Sequence, residues 1–227
     1  MPRRQFGTKP WKAKENALSR EYWDRVAGKK QFTVKFDVAK FSEHVAPDAE
    51  ILDFGCGYGR TLHELRSAGY ANLSGCDISV NMLKIARREL PDVIFFQNKS
   101  IPLPYPDNSF DAIIVLAVLT SIISDDEQLL IAREMARLLK PGGIIYIGDF
   151  LLNDDVRNLE RYRRFQDKHG IYGVFELPEG ATLRHHDHTY IKELLTPFEQ
   201  IIWKRVVHHT MNGHESNGFI FVGRKAI

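Results

Sequence analysis

Ile51-Leu52-Asp53-Phe54-Gly55-Cys56-Gly57-Tyr58-Gly59-Arg60 is the stretch on which the reading of this chain turns. Its first four residues, mostly apolar, read as a short strand. Three glycines spaced two apart then form a loop, and Thr61 to Ser67 reads as a helix stopped by Gly69. Glycine in such a loop accepts positive φ and lets backbone approach a ligand closely. The helix that follows points the positive end of its dipole at the loop. Asp77 closes the second strand, Leu73 to Asp77. A carboxylate there can accept hydrogen bonds from both hydroxyls of a ribose. Arg60 stands where a dinucleotide fingerprint has its third glycine, which argues against a nicotinamide oxidoreductase.

Working outward, strands and helices alternate. Ser79 is placed to cap a helix over Asn81 to Leu90, which Pro91 ends. Val93 to Phe96 reads as a third strand, followed by a loop carrying Pro102, Pro104 and Pro106. Phe110 to Val118 is apolar enough to be a strand buried on both faces. Ser124-Asp125-Asp126-Glu127 has the spacing of a capping box and opens a helix running to Lys140. Pro141-Gly142-Gly143 reads as a turn into a fifth strand, Ile144 to Phe150. Such alternation implies parallel pairing with right-handed crossovers.

Residues 153–184 break the rhythm, being charged and aromatic, and read as an insertion, part helix and part loop. A helix over Tyr190 to Leu195 follows. Gln200 to Val207 and Gly218 to Gly223 then read as a closing hairpin joined by the polar connection His208 to Asn217. Upstream, Leu18, Tyr22, Trp23 and Val26 lie near helical spacing within 15–27. Lys29 to Lys40 carries no clear period, and a second helix covers Asp37 to His44. The expected organisation is an N-terminal helical extension over 1–47, acting as a lid, and one α/β domain over 48–227 with an insertion at about 153–184.

Composition narrows the function classes. The 227 residues are 44% hydrophobic and 26% charged, ordinary for a folded domain. Lys plus Arg number 31 against 29 Asp plus Glu, and a net charge of +2 does not indicate a nucleic-acid partner. Arg3, Arg4, Lys9, Lys12 and Lys14 precede the first acid, Glu15; they read as a solvated terminus, with a phosphate-touching arm as the alternative. Cys56 and Cys76 suit reduced thiols, neither a disulfide framework nor a zinc site. Met1 is followed by polar residues, and the longest apolar run, Ala112 to Leu119, is too short for a bilayer. A cytoplasmic protein without a membrane partner is the expectation.

Four motifs in order resemble those of class I S-adenosylmethionine-dependent methyltransferases. They are Ile51 to Arg60, Gly75 to Ser79, Leu103 to Asp111, and Arg137 to Gly143. The resemblance implies a Rossmann-like, seven-stranded, mostly parallel sheet with helices on both faces and a C-terminal antiparallel hairpin. It implies S-adenosyl-L-methionine as cofactor and S-adenosyl-L-homocysteine as product. By that likeness Gly55, Cys56 and Gly57 meet the methionine part and Asp53 orients its ammonium. Asp77 holds the ribose, Ile78 packs on the adenine, and Leu116 and Ala117 line the methyl-donor side. Many family members carry an acid for the adenine amino group in the loop after the third strand. Lys99 stands there, and lysine accepts no hydrogen bond. Ser100, Asn98 or a backbone carbonyl is left to serve.

The resemblance leaves the acceptor open. Leu116-Ala117-Val118-Leu119-Thr120 replaces the Asn/Asp-Pro-Pro-aromatic motif of amino-methylating enzymes, so a small-molecule acceptor is expected. An RNA or protein acceptor, or a non-catalytic cofactor-binding regulator, are the alternatives. Tyr22, Thr120, Asp149 and His185 are the candidate acceptor contacts. Among the histidines, His185 and His186 are the candidates for a general base; they and their neighbours have no recognised metal-ligand spacing, and no metal is expected.

Overall fold

A computed structural model describes the backbone of residues 13–226 and the side chains of residues 18–226. The basic side chains of the N-terminal stretch lie outside the described residues. The central sheet holds β1 (Ile51–Phe54), β2 (Leu73–Asp77), β3 (Ile94–Gln97), β4 (Phe110–Leu116), β5 (Leu139–Phe150), β8 (Phe198–His209) and β9 (Glu215–Lys225). Their order is β3-β2-β1-β4-β5-β9-β8. The first five strands in that order pair in parallel, β9 runs antiparallel to β5, and β8 antiparallel to β9. The seven-stranded, mostly parallel sheet with its closing hairpin is as the motifs implied.

Two-residue periodicity divides the core between the sheet's faces. Leu52, Phe54, Ile113, Val115, Ile145 and Ile147 point to one face, where Met135 of α5 (Asp125–Leu138) and Ile191 of α7 (His188–Leu194) cover them. Ile51, Ala112, Ile114, Ile144 and Tyr146 point to the other. There Leu62 of α3 (Arg60–Ser67), Leu83 of α4 (Val80–Glu89) and Phe41 of α2 (Val38–Ser42) close over them. Ser79 caps α4, its Oγ accepting from the Met82 N–H at 3.1 Å. Ser124 is the N-cap residue of α5, but its side chain makes no capping hydrogen bond, so the expected capping box is not built.

Two of the quoted motifs meet on the face away from the strands' C-terminal ends. Arg137 donates to Glu134, to Asp107 and to the carbonyls of Leu103 and Tyr105. Glu134 in turn accepts from the Leu103 N–H at 2.7 Å. The Pro-rich loop is thereby tied to α5. Pro141-Gly142-Gly143, expected as a turn before a fifth strand, is instead a bulge within β5. Pairing jumps from Phe110↔Leu139 to Ala112↔Ile144, with Gly142 at φ 78°.

The insertion contains α6 (Val156–His169) and a small antiparallel ladder of β6 (Val174–Glu176) and β7 (Thr182–Arg184). The ladder was not legible as strands, each being three residues long. The N-terminal extension holds α1 (Ala13–Val26) and α2; between them the chain runs without regular structure across the glycine loop. Among the described residues no helix is long and apolar enough to cross a membrane.

Candidate active site

Strand order reverses between β1 and β4, and in open parallel sheets ligands sit outside the strands' C-terminal ends at such a point. A cavity of about 520 Å³ lies there, lined by the ends of β1, β2 and β4 and roofed by the extension and the insertion.

The glycine loop forms its floor. Gly55 and Cys56 both turn their N–H groups back onto the Cys76 carbonyl, at 2.8 and 2.9 Å. Gly55 has φ 79°, and a Cβ there would collide with the Val118 side chain. Gly57 is at φ 54°, under the ring of Phe32. It is therefore covered rather than open to the cavity, although its N–H is used: it donates to Asp77 Oδ2 at 2.8 Å. The Ser79 N–H donates to Asp77 Oδ1, also at 2.8 Å. Each Asp77 oxygen thus receives one backbone donor and keeps a lone pair for a ligand. Burial pushes the Asp77 carboxyl up to about 6, against the pull of these two N–H groups.

Asp53 also lines the cavity, buried, with an Oδ2 that has no hydrogen-bond partner. Burial raises its carboxyl to about 7 despite the Arg60 guanidinium nearby. A desolvated acid without a donor is costly unless a ligand supplies one. After β3, Asn98 reaches the cavity and its buried Oδ1 is likewise unpartnered. Ser100 is exposed and does not line the cavity, so of the residues left to meet an adenine edge the structure brings in Asn98. Ile78, Leu116, Ala117 and Thr120 line the cavity. Ala117 holds φ 53°, rare for a residue with a Cβ, while its N–H donates to the Gly148 carbonyl at 2.8 Å.

Three other expected contacts are displaced. Tyr22 is packed into a small cluster with Val26, Met82 and Ala181, off the cavity wall. Asp149 is fully buried behind the wall. Its oxygens accept from the N–H groups of Phe150 at 2.8 Å and Thr120 at 3.2 Å, and burial lifts its carboxyl to about 7. It shapes the end of β4 rather than facing a ligand. His186 is also fully buried, with both ring nitrogens engaged: Gln128 Nε2 at 2.9 Å and the Phe150 carbonyl at 3.1 Å. Burial pushes it down to about 3, and it does not reach the cavity, so it is not placed to act as a base there.

His185 does line the cavity. Its Nδ1 lies 2.6 Å from the Tyr162 hydroxyl and 3.0 Å from Asn153 Nδ2. Asn153 Oδ1 accepts the Asn217 N–H at 2.7 Å, which sets the amide so that Nδ2 is the donor. Tyr162 OH accepts the Asn153 N–H at 3.3 Å and has Nδ1 as the acceptor for its own proton. Nδ1 therefore accepts and the proton of the neutral ring sits on Nε2. Burial, first, and then the nearby Arg161 hold the ring well below the usual histidine range.

Several wall residues were not among the candidates the sequence suggested. Phe32 stacks on Tyr58 at 4.8 Å over the glycine loop, inside the aperiodic segment after α1. Lys30 pairs with Glu179 of the β6–β7 turn at 2.5 Å, closing one side. Arg157 and Arg161 of α6 also face the cavity. Their i, i+4 spacing was the available sign that they share a face. Among the described residues no group of three or more His, Cys, Asp or Glu is placed to hold a metal ion.

Comparison with known proteins agrees with this geometry. Residues 52–147 match the model of a methyltransferase domain. A demethylmenaquinone methyltransferase from Paenarthrobacter aurescens (strain TC1) is 35% identical over 101 residues, 44% of this chain and 38% of its own length. A sterol 24-C-methyltransferase from Gibberella zeae is 27% identical over 212 residues, 74% of this chain and 54% of its own. The chain thus spans well under two thirds of the length of these curated relatives. A solved S-adenosylmethionine-dependent methyltransferase from Methanosarcina mazei is 27% identical with a TM-score of 0.79, over 86% of this chain and 99% of that one. Residues 52–147 thus form a methyltransferase domain, and the fold around it is that of the class I S-adenosylmethionine-dependent methyltransferases it resembles.

The cavity suits that family's cofactor on three structural grounds. Asp53 offers an unpaired buried carboxylate oxygen to a cationic ligand. Asn98 offers an unpaired acceptor. Gly55 leaves a path for backbone approach that any Cβ would block.

Proposed function

We propose that this chain transfers a methyl group from S-adenosylmethionine to a small-molecule acceptor. The observation that carries the reading is the convergence of Asp53, Asp77 and the Gly55 backbone on one cavity at the switch point of the sheet. When bound, the cofactor supplies an activated methyl on a sulfonium, so positioning and electrostatics are what the protein must add.

In this reading Asp77 accepts from the ribose hydroxyls, its orientation set by the Gly57 and Ser79 N–H groups. Asp53 faces the ammonium, and Gly55 and Cys56 admit the methionine chain. Asn98 accepts from the adenine amino group, beside Ile78. Leu116 and Ala117 form the wall next to the reacting methyl. Within the extension over 1–47, the described stretch that lines the cavity, from Ser19 to Val34, acts as a lid on the domain formed by 48–227, with Phe32 excluding water above the glycine loop. No base is assigned: His185 uses its available lone pair on Tyr162 and Asn153. A small acceptor agrees with the roofed cavity and with relatives whose names specify demethylmenaquinone and a sterol.

Calorimetric titration with S-adenosylmethionine, with NADH as the control, tests the cofactor. Release of S-adenosylhomocysteine over panels of small molecules and of tRNA tests the acceptor. Binding of neither cofactor by folded protein would remove the proposal, and turnover with tRNA alone would replace its acceptor.

A further inference from the structure

The acceptor side of the cavity carries a cation that the fold leaves without an acid. Arg161 lies on the ring of Phe175, with its guanidinium carbon 3.5 Å from the centroid. Its Nε is buried and unpartnered. No described carboxylate forms an ion pair with it, whereas the acids around it are engaged. Glu176 pairs with Lys168 at 2.5 Å and His169 at 2.9 Å. Glu179 pairs with Lys30. Asp155, whose charge reaches Arg161 without forming an ion pair, caps α6 through the Asn158 N–H and stands 3.8 Å from Arg157. Arg157, one helical turn before Arg161, lines the same cavity.

His185 adds a donor beside this pair. Phe175 packs edge-on against it at 4.9 Å, so the arginine and the imidazole flank one aromatic ring. With Nδ1 accepting from Tyr162 and Asn153, its Nε2 carries the proton and makes no hydrogen bond to a described residue. A half-buried guanidinium over an aromatic face, next to an N–H donor, is suited to a planar or tetrahedral oxyanion, which guanidinium binds by paired hydrogen bonds.

We propose that Arg161, assisted by Arg157 and the Nε2–H of His185, forms a subsite for an anionic oxygen group, carboxylate or phosphate, on the methyl acceptor. Calling the ligand the acceptor rests on the methyltransferase reading; the anion site itself does not. The subsite selects acceptors by charge and turns their apolar part toward Phe150, which stacks on His185 at 5.5 Å and lines the cavity. Arg161 and His185 are thus specificity-determining residues, and His185 is a hydrogen-bond donor rather than a base.

The test uses the full chain saturated with S-adenosylhomocysteine and titrated with benzoate, phenyl phosphate and neutral benzamide. At least one anion should bind tenfold or more tightly than benzamide. Arg161→Gln should remove that advantage, Arg161→Lys should keep part of it, and S-adenosylhomocysteine affinity should stay within about twofold. Equal binding of benzamide and both anions overturns the proposal, as does undiminished anion binding by Arg161→Gln. Loss of S-adenosylhomocysteine affinity in Arg161→Gln also overturns it, by assigning the arginine to the cofactor's own carboxylate. If wild-type protein does not bind S-adenosylhomocysteine, the methyltransferase reading falls, and the anion titration repeated without it still reads the subsite. Should Arg161→Gln fail to fold, the more exposed Arg157→Gln substitutes, with a threefold or larger loss expected and no loss counting against the site. Nitrogen-15 NMR of His185 at neutral pH should show the proton on Nε2; a proton on Nδ1 excludes the histidine from the site.

Discussion

The Gly57 N–H donates to Asp77 Oδ2 at 2.8 Å, so the glycine loop after β1 and the acid at the end of β2 are one structural unit. Asp77→Ala removes the carboxylate proposed to accept from the ribose and also leaves the Gly57 and Ser79 donors unpaired. S-adenosylmethionine affinity should fall by roughly 1–3 kcal/mol, measured by calorimetry. Asp77→Asn, which keeps one acceptor for the backbone, should fold better and still bind weakly. Unchanged affinity in both would withdraw Asp77 from the ribose.

Cofactor affinity should rise with pH. Burial holds Asp53 at about 7 and Asp77 at about 6 in the ligand-free protein. A cationic, hydroxyl-bearing ligand favours their ionised forms, so binding releases protons below about pH 7 and tightens until both are ionised. Titration at pH 5.5 and 8 in buffers of different ionisation enthalpy reads both effects, and equal affinity at the two values would contradict them. Stability has the opposite sign. A carboxyl raised in the folded state contributes stability below its unfolded value of 3.8, and that contribution is lost as pH rises through the folded value. The melting temperature of ligand-free Asp53→Asn, relative to wild type, should therefore climb between pH 4 and 8.

Gly55→Ala should abolish tight cofactor binding. The residue sits at φ 79° and its new methyl would meet Val118. Left-handed backbone alone costs about 1–2 kcal/mol for an L residue, and the collision adds to it. Val118→Ala in the same chain should recover part of the stability but not the backbone term, which paired thermal melts would separate.

Lys30 and Glu179 join the segment after α1 to the β6–β7 turn at 2.5 Å. Glu179→Gln should cost at most about 1 kcal/mol of stability, since the pair is partly exposed. Cofactor dissociation should nonetheless accelerate several-fold in stopped-flow measurements if the two segments hold the roof shut. An unchanged dissociation rate would make the pair a surface contact only.

Arg137→Ala should be the most destabilising of these substitutions, by about 3–5 kcal/mol, because it leaves the buried Glu134 without its cation and frees the Pro-rich loop. Chemical denaturation measures it. S-adenosylmethionine affinity of the folded fraction should be nearly intact, the site being at the other end of the strands.

What the chain alone determined was local. Buried parallel strands read as apolar runs, and a loop of spaced glycines with an acid at the end of the next strand reads as a cofactor site, because each depends on residues within one strand–helix–strand unit. Hence the sheet, the order of motifs and the placement of Asp53, Gly55, Asp77, Ile78 and Leu116 were legible. The roof of the cavity and the wall formed by the insertion were decided by tertiary packing. Phe32 comes from an aperiodic segment, Arg161 from an insertion readable only as part helix and part loop, and β6–β7 from strands three residues long. His185 and His186 are neighbours in sequence, yet the backbone turns one toward the cavity and the other toward Gln128. Which of two adjacent imidazoles meets a ligand depends on partners far away in the chain, and no local pattern encodes them.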